Sequence, residues 1–309
     1  MAETRTSTMR RREKRIAIDQ LRSPSFDVVE LYKNHQAVSK ALSLDFDAII
    51  CLAKALPLGL RGREHREMRK ELATVLAEGK RQLQPRLPEL VKKHFKLLTK
   101  AGHHDLLADV CRPFVNECME LLSGLALKPE QFDNLSDIFD PGAGVAKRRR
   151  LEVTTQNLLK SASETAGDRR LYGIAVAVMG RDALLASLVF SLHRHFSQLQ
   201  GREIGSSFFS RVPQDTAIPY VWRVGVDKGN EGDVFECCLN ELIGSNDDER
   251  MKLFGAGQHT CLGKSHTLQI FETLSEFLSD QKGIVVSVKA ASIDMHVLKI
   301  PEYFEIELR

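Results

Sequence analysis

Phe254-Gly255-Ala256-Gly257-Gln258-His259-Thr260-Cys261-Leu262-Gly263 is the stretch on which the reading of this chain turns. Two glycines precede the cysteine and a third follows it. Beyond Gly263 the apolar positions Leu268, Phe271, Leu274 and Leu278 recur at helical spacing until Gly283, so Cys261 is expected at the mouth of a helix. A helix N-terminus presents unpaired backbone N–H groups and the positive end of the dipole, which lowers a thiol's pKa and favours the thiolate. Glycines let a flat ligand come close to the backbone. From the residues alone, such a cysteine is either a metal ligand or a packed or reactive thiol.

Working outward, apolar residues between about Val28 and Gly124 recur every three or four positions and predict consecutive helices, with breaks at Pro57 to Gly62, Pro85 to Pro88 and Gly102 to Asp105. A long helix with little charge in its middle follows through Leu171, Ile174, Val178, Leu185, Leu188 and Leu192. Between them Asp140-Pro-Gly-Ala-Gly reads as a loop, and Lys147 to Arg150 as a solvated basic turn. The tail changes period: Ile284-Val-Val-Ser-Val, Met295-His-Val-Leu-Lys-Ile and Tyr303-Phe-Glu-Ile-Glu-Leu have strand composition, with Pro301 separating the last two. The expected class is mainly α with a small β portion. Residues 1–27 are expected to be a basic, flexible tail and residues 28–309 a single domain.

The chain has 309 residues with 44 Lys and Arg against 41 Asp and Glu, and a net charge of +3 does not point to nucleic acid. The basic start (Arg10, Arg11, Arg12, Lys14, Arg15) lacks the apolar run of a secretory signal, and no later segment reads as a bilayer span. A cytoplasmic protein away from membranes is the expectation. Six cysteines, at positions 51, 111, 118, 237, 238 and 261, lack paired zinc spacing and are expected to be mostly buried thiols.

Phe-x-x-Gly-x-x-x-Cys-x-Gly, complete here at Phe254, Gly257, Cys261 and Gly263, resembles the heme-ligand signature of the cytochrome P450 family. The chain is similar to the soluble bacterial type, as a shortened and divergent member. The resemblance implies heme b, with the Cys261 thiolate as axial iron ligand and with Phe254, Gly257 and Gly263 shaping the loop around the sulfur. It further implies that His259 meets a heme propionate. Glu64-His65-Arg66-Glu67-Met68-Arg69 resembles the family's His-x-x-x-Arg helix, implying that His65 and Arg69 reach a propionate from one helix face. Pro219-Tyr-Val-Trp222-Arg223 resembles the strand that supplies an arginine to the other propionate, and Asp105-Leu-Leu-Ala-Asp109 the segment leading into the next helix.

The sequence departs from the family at the distal helix. Met179-Gly180-Arg181-Asp182-Ala183-Leu184 stands where Ala/Gly-Gly-x-Asp/Glu-Thr is expected. Gly180 and Asp182 align, Ala183 replaces the threonine, and the proton relay lacks a hydroxyl. Arg181 either faces outward as a structural charge or meets an anionic substrate. Arg211 aligns with the arginine of a buried Glu-x-x-Arg pair, but Phe208 stands in the acid's place, so a buried Arg211 requires another partner. Sequence before Val28 is too brief for the usual N-terminal sheet, and a homodimer is one way to restore missing cover. The implied function is oxidation or rearrangement of a small organic molecule in bacterial secondary metabolism, by peroxide or an oxidised N–O or O–O bond instead of coupled monooxygenation. The alternatives are a ferredoxin-dependent monooxygenase, steered to basic Arg63, Arg66, Lys70 and Lys264, and a non-catalytic heme-binding sensor or helper.

Overall fold

The computed structural model describes residues 14–126, 128, 131–132, 135–140, 142–163, 167–199, 201–243, 246–295 and 298–309. Its helices are α1 (Leu31–Leu42), α2 (Asp47–Lys54), α3 (Gly62–Phe95), α4 (Arg112–Ser123), α5 (Val145–Ser163), α6 (Gly167–Leu199), α7 (Asp247–Arg250) and α8 (Lys264–Ser279). The strands are β1 (Lys14–Arg15), β2 (Phe26–Val28), β3 (Gly102–Asp105), β4 (Tyr220–Gly225), β5 (Val234–Cys238), β6 (Val286–Met295) and β7 (Lys299–Leu308).

The core lies where α3, α4, α6 and α8 meet, with Leu72, Leu83, Leu87, Phe95, Phe114, Val115, Ala175, Leu188, Phe271 and Leu274 out of solvent. Helices approach most closely where side chains vanish. A Cβ on Gly79 of α3 would lie 2.4 Å from the Leu122 carbonyl oxygen of α4, and one on Gly173 of α6 would lie 2.6 Å from that of Ser123. Both glycines therefore act through size, setting how near α3 and α6 sit to α4.

Helix α3 runs through Pro85 and Pro88 without the expected break. Each proline removes one N–H, orphaning the carbonyls of Arg81 and Gln84. Those residues and both prolines are exposed, so water can serve the carbonyls while Leu83, Leu87, Leu90 and Val91 keep their buried stripe. The tail forms two long strands where three short ones were expected, in the sheet order β3-β7-β6. Pro301 lies inside β7 opposite Ile293, at a register shift between Ser292 and Ile293, a place where a missing donor is tolerated.

A second sheet has the order β1-β5-β4-β2. Two of its strands come from the segment up to Val28: β1 pairs parallel to β5 and β2 antiparallel to β4. Strands this short carry too few residues to show a period, but Ile16 and Leu21 are buried against Phe235, Cys237 and Leu239. The segment before Val28 thus supplies two strands. The earlier part of the expected tail lies outside the described residues.

The basic stretch Lys147 to Arg150 instead lies within the first two turns of α5, and Arg148 is 1% exposed. Its guanidinium donates to the Ala143 carbonyl (2.8 Å), to Asn34 Oδ1 (2.9 Å) and to His35 Nδ1. Burial and the neighbouring Arg148 charge push His35 down to about 4, so it stays a neutral acceptor. Helix α6 is long and apolar enough to cross a membrane by length and composition, contrary to the sequence reading, and is mostly buried inside the protein as a core helix.

Candidate heme-thiolate site

The cysteine loop leaves a 3-10 turn at Phe254, passes Gly255 (φ 75°) and Gly257 (φ 61°) in the left-handed region, and enters α8 at Lys264. The loop is closed by the Cys261 N–H donating to the Phe254 carbonyl (2.7 Å) and by Thr260 Oγ1 donating to the Gly257 carbonyl (2.8 Å). Side chains at 255 and 257 would be strained, which is why this turn needs glycine. Phe254 is buried, and the Lys264 ammonium lies 5.7 Å from its ring centre. Lys252 ties the loop to Asp19 (3.3 Å), so the ordered N-terminal segment braces it.

Cys261 is open to solvent although protein surrounds it on most sides, the situation of a residue on the floor of a hollow. Desolvation raises its thiol above the ordinary value. The backbone N–H groups of Gly263 and Lys264 and the charges of Arg69 and Lys264 oppose that shift without cancelling it. The direction corrects the sequence expectation of a depressed pKa: a helix start stabilises a thiolate, but confinement outweighs it here. Three of the other cysteines, Cys111, Cys118 and Cys237, are buried, Cys238 is partly so, and Cys51 is exposed.

Above the loop stands α3. Arg61 donates from Nε (3.0 Å) and Nη2 (2.6 Å) to the Val28 carbonyl, fixing the start of α3 against β2. One turn on, His65 is 1% exposed, and its ring centre is 4.2 Å from that of His259. Val28 pairs with Arg223 across β2 and β4, and Arg223 is buried with Nη1 donating to the Trp222 carbonyl (2.9 Å). Arg69, one turn beyond His65, faces Cys261 electrostatically. The structure thus brings His65, Arg69, Arg223 and His259 around the cysteine loop, four residues drawn from three distant stretches of sequence.

All four ring nitrogens of His65 and His259 lack a hydrogen-bond partner. Burial, then the nearby His65, Arg223 and Arg69, push His259 down to about 3, and burial followed by Arg69 lowers His65. Desolvation lowers Arg69 and Arg223 as well. Among the described residues no carboxylate hydrogen-bonds to any of the four. Buried donors without acceptors are costly, and a ligand carrying two carboxylates would satisfy them. A planar dianion with a metal at its centre, seated on the thiol of Cys261, fits this set of groups; the metal's charge would reverse the upward pressure on the thiol.

On α6 the Gly180 position is closed by Met119: a Cβ there would come within 2.9 Å of the Met119 methyl carbon. Arg181 is 5% exposed, which corrects the outward-facing reading. It donates from Nε to Asn116 Oδ1 on α4 (2.9 Å) and from Nη1 to Asp182 Oδ1 (3.0 Å). Ala183 and Met179 are half-buried, whereas Leu184 and Leu185 are buried. Sequence reasoning missed Asn116, for which the chain carries no local signal. It also missed Arg61, the extended residue that immediately precedes α3.

Arg211 is exposed, paired with Glu272 (3.3 Å) and 5.8 Å from the ring of Phe208, itself 63% exposed. The expected buried ion-pair position is therefore not at Arg211. The buried arginine of this region is Arg250, which donates to Ser210 Oγ (3.1 Å) and pairs with Asp247.

No family model and no curated relative matches the chain. Solved structures do. P450BioI in complex with hexadec-9Z-enoic acid ligated acyl carrier protein is 13% identical with a TM-score of 0.72, covering 94% of this chain and 90% of that one. A thermophilic cytochrome P450 from Sulfolobus tokodaii is 15% identical, with a TM-score of 0.63 and coverage of 94% and 92%. The cytochrome P450 enzyme CxnD for C–S bond formation in chuangxinmycin biosynthesis is 14% identical, with a TM-score of 0.64 and coverage of 95% and 88%.

Proposed function

Since the chain has the cytochrome P450 fold, we propose that it is a heme-thiolate oxidoreductase acting on a small organic molecule, with heme b ligated by Cys261. The observation that carries this reading is the set of unpartnered histidine nitrogens beside a solvent-accessible thiol at the start of α8. When bound, the heme supplies the oxidising centre, and thiolate donation to its iron favours O–O cleavage. His65, Arg69, Arg223 and His259 hold the two carboxylates, and Gly255 and Gly257 let the ring approach the loop. The reduced protein should show the thiolate-type carbon monoxide band, and Cys261→Ala should abolish it; an unchanged spectrum in that variant overturns the assignment.

The residues of α6 support one reaction subtype. Arg181 donates to one oxygen of the Asp182 carboxylate, and Ala183 offers no hydroxyl. Without a hydroxyl at Ala183 the relay over the substrate space lacks one donor and acceptor, so chemistry that needs guided proton delivery is less well served. We therefore favour turnover from peroxide or from a substrate already carrying an N–O or O–O bond. Ala183→Thr should raise product formed per NADPH severalfold in an oxygen-dependent assay while leaving peroxide-driven turnover little changed. Tight coupling in the native protein without gain in the variant would sink this subtype.

A ferredoxin-dependent monooxygenase is the second reading. It is supported by exposed Arg66 and Lys70, one turn apart on α3, which would steer an acidic partner. Two other members of the expected patch are already engaged, Arg63 with Glu67 (2.6 Å) and half-buried Lys264 with the Phe254 ring.

A further inference from the structure

A cleft of about 670 Å³ opens between α1, α2, the first turns of α3 and the start of α6, and no residue of the cysteine loop lines it. Its floor is apolar, made by Ile50, Ala55, Met68 and Leu171, and the exposed thiol of Cys51 lies in its wall. The rim carries Lys40 and Lys54 against one acid, Asp47. Among the described residues neither lysine forms an ion pair; the Lys54 ammonium lies 5.9 Å from the Tyr32 ring. An apolar floor with two ammonium groups at the edge that form no ion pair suits a ligand with a hydrocarbon body and an acidic end. The body gains from leaving water and the acid from the lysines.

We propose that this cleft binds an amphipathic organic acid, with its hydrocarbon part over Met68 and Leu171 and its carboxylate between Lys40 and Lys54. The site does not depend on the heme assignment. Asp47 is its counterweight, disfavouring a second negative charge nearby.

The test uses Cys51 as reporter in the purified full-length protein. Its modification by a maleimide is followed by mass spectrometry of the Cys51 peptide, with Cys238 as the reference in the same chain. Sub-micellar decanoate should slow labelling at Cys51 and not at Cys238, and decan-1-ol should protect less well at equal concentration. The Lys40→Ala/Lys54→Ala double variant should need about fivefold more decanoate for the same protection, in keeping with the modest worth of exposed charge pairs. Asp47→Asn should need less. Labelling that decanoate leaves unchanged overturns the site, as does equal protection by the alcohol and the acid. All three substitutions are at exposed positions, so the fold is expected to survive them, and circular dichroism checks this.

Discussion

At Cys261 two pressures oppose each other, confinement raising the thiol and the N–H groups at the start of α8 lowering it, and confinement wins. The sign has a consequence for heme uptake. A group raised above its ordinary value is protonated at neutral pH, whereas a metal ligand must be the thiolate, so uptake expels that proton. Affinity for hemin should therefore rise with pH by up to about tenfold per unit across pH 6 to 8. In weakly buffered solution the native protein should release about one proton more than Cys261→Ala, a difference that cancels protons exchanged by His65 and His259. Equal release by the two proteins would show that the thiol is not the ligand. Arg148 and Arg181 make the same point about context: the sequence reads Arg148 as surface charge and leaves Arg181 either outward-facing or toward a substrate, yet each is buried with a partner elsewhere in the chain, His35 or Asn116, that accepts a hydrogen bond from it.

At the scale of elements, α2 depends on a residue from another helix. The Glu152 carboxylate of α5 accepts from the N–H groups of Ala48 (3.0 Å) and Ile49 (3.0 Å), two of the donors that α2 cannot satisfy within itself. The contact also places negative charge at the positive end of the helix. Glu152→Ala should cost about 2 kcal/mol, read from a lowered urea midpoint at unchanged slope, because it leaves buried N–H groups unpaired. Glu152→Gln keeps one acceptor and should cost less. A loss below the error of the measurement in the alanine variant would mean that water replaces the carboxylate. Sequence spacing found α6 and α8 because their apolar stripes are regular; it placed a break in α3 because proline chemistry is local, while the stripe that holds the helix together is not.

At the scale of the molecule, the proposed heme cradle draws on β2, the start of α3, β4 and the cysteine loop, so its ligand should stabilise the whole fold. Hemin at a hundredfold excess over its dissociation constant should add about 2.7 kcal/mol. For a chain of this size that corresponds to a rise in melting temperature of roughly 5 °C, increasing with hemin concentration. His65→Ala/Arg69→Ala should show a smaller rise at the same hemin concentration. A melting temperature of the native protein that is independent of hemin would mean that the cradle does not bind it, and an equal rise in the two proteins would mean that His65 and Arg69 do not hold it.

The cysteine loop, its glycines and the helix that follows were legible in the sequence, because each depends on residues within a few positions of Cys261. His65 and Arg69 were legible as a pair for the same reason, four residues apart on one helix face. Their approach to His259 and Arg223 was decided by the tertiary structure, through the pairing of Val28 with Arg223 and the anchoring of Arg61 on the Val28 carbonyl. So were the burial of Arg148 and Arg181, the exposure of Arg211 and the upward shift of the Cys261 thiol. Propensity and spacing are properties of neighbours along the chain, whereas desolvation and pairing are set by whatever the fold carries to the same place.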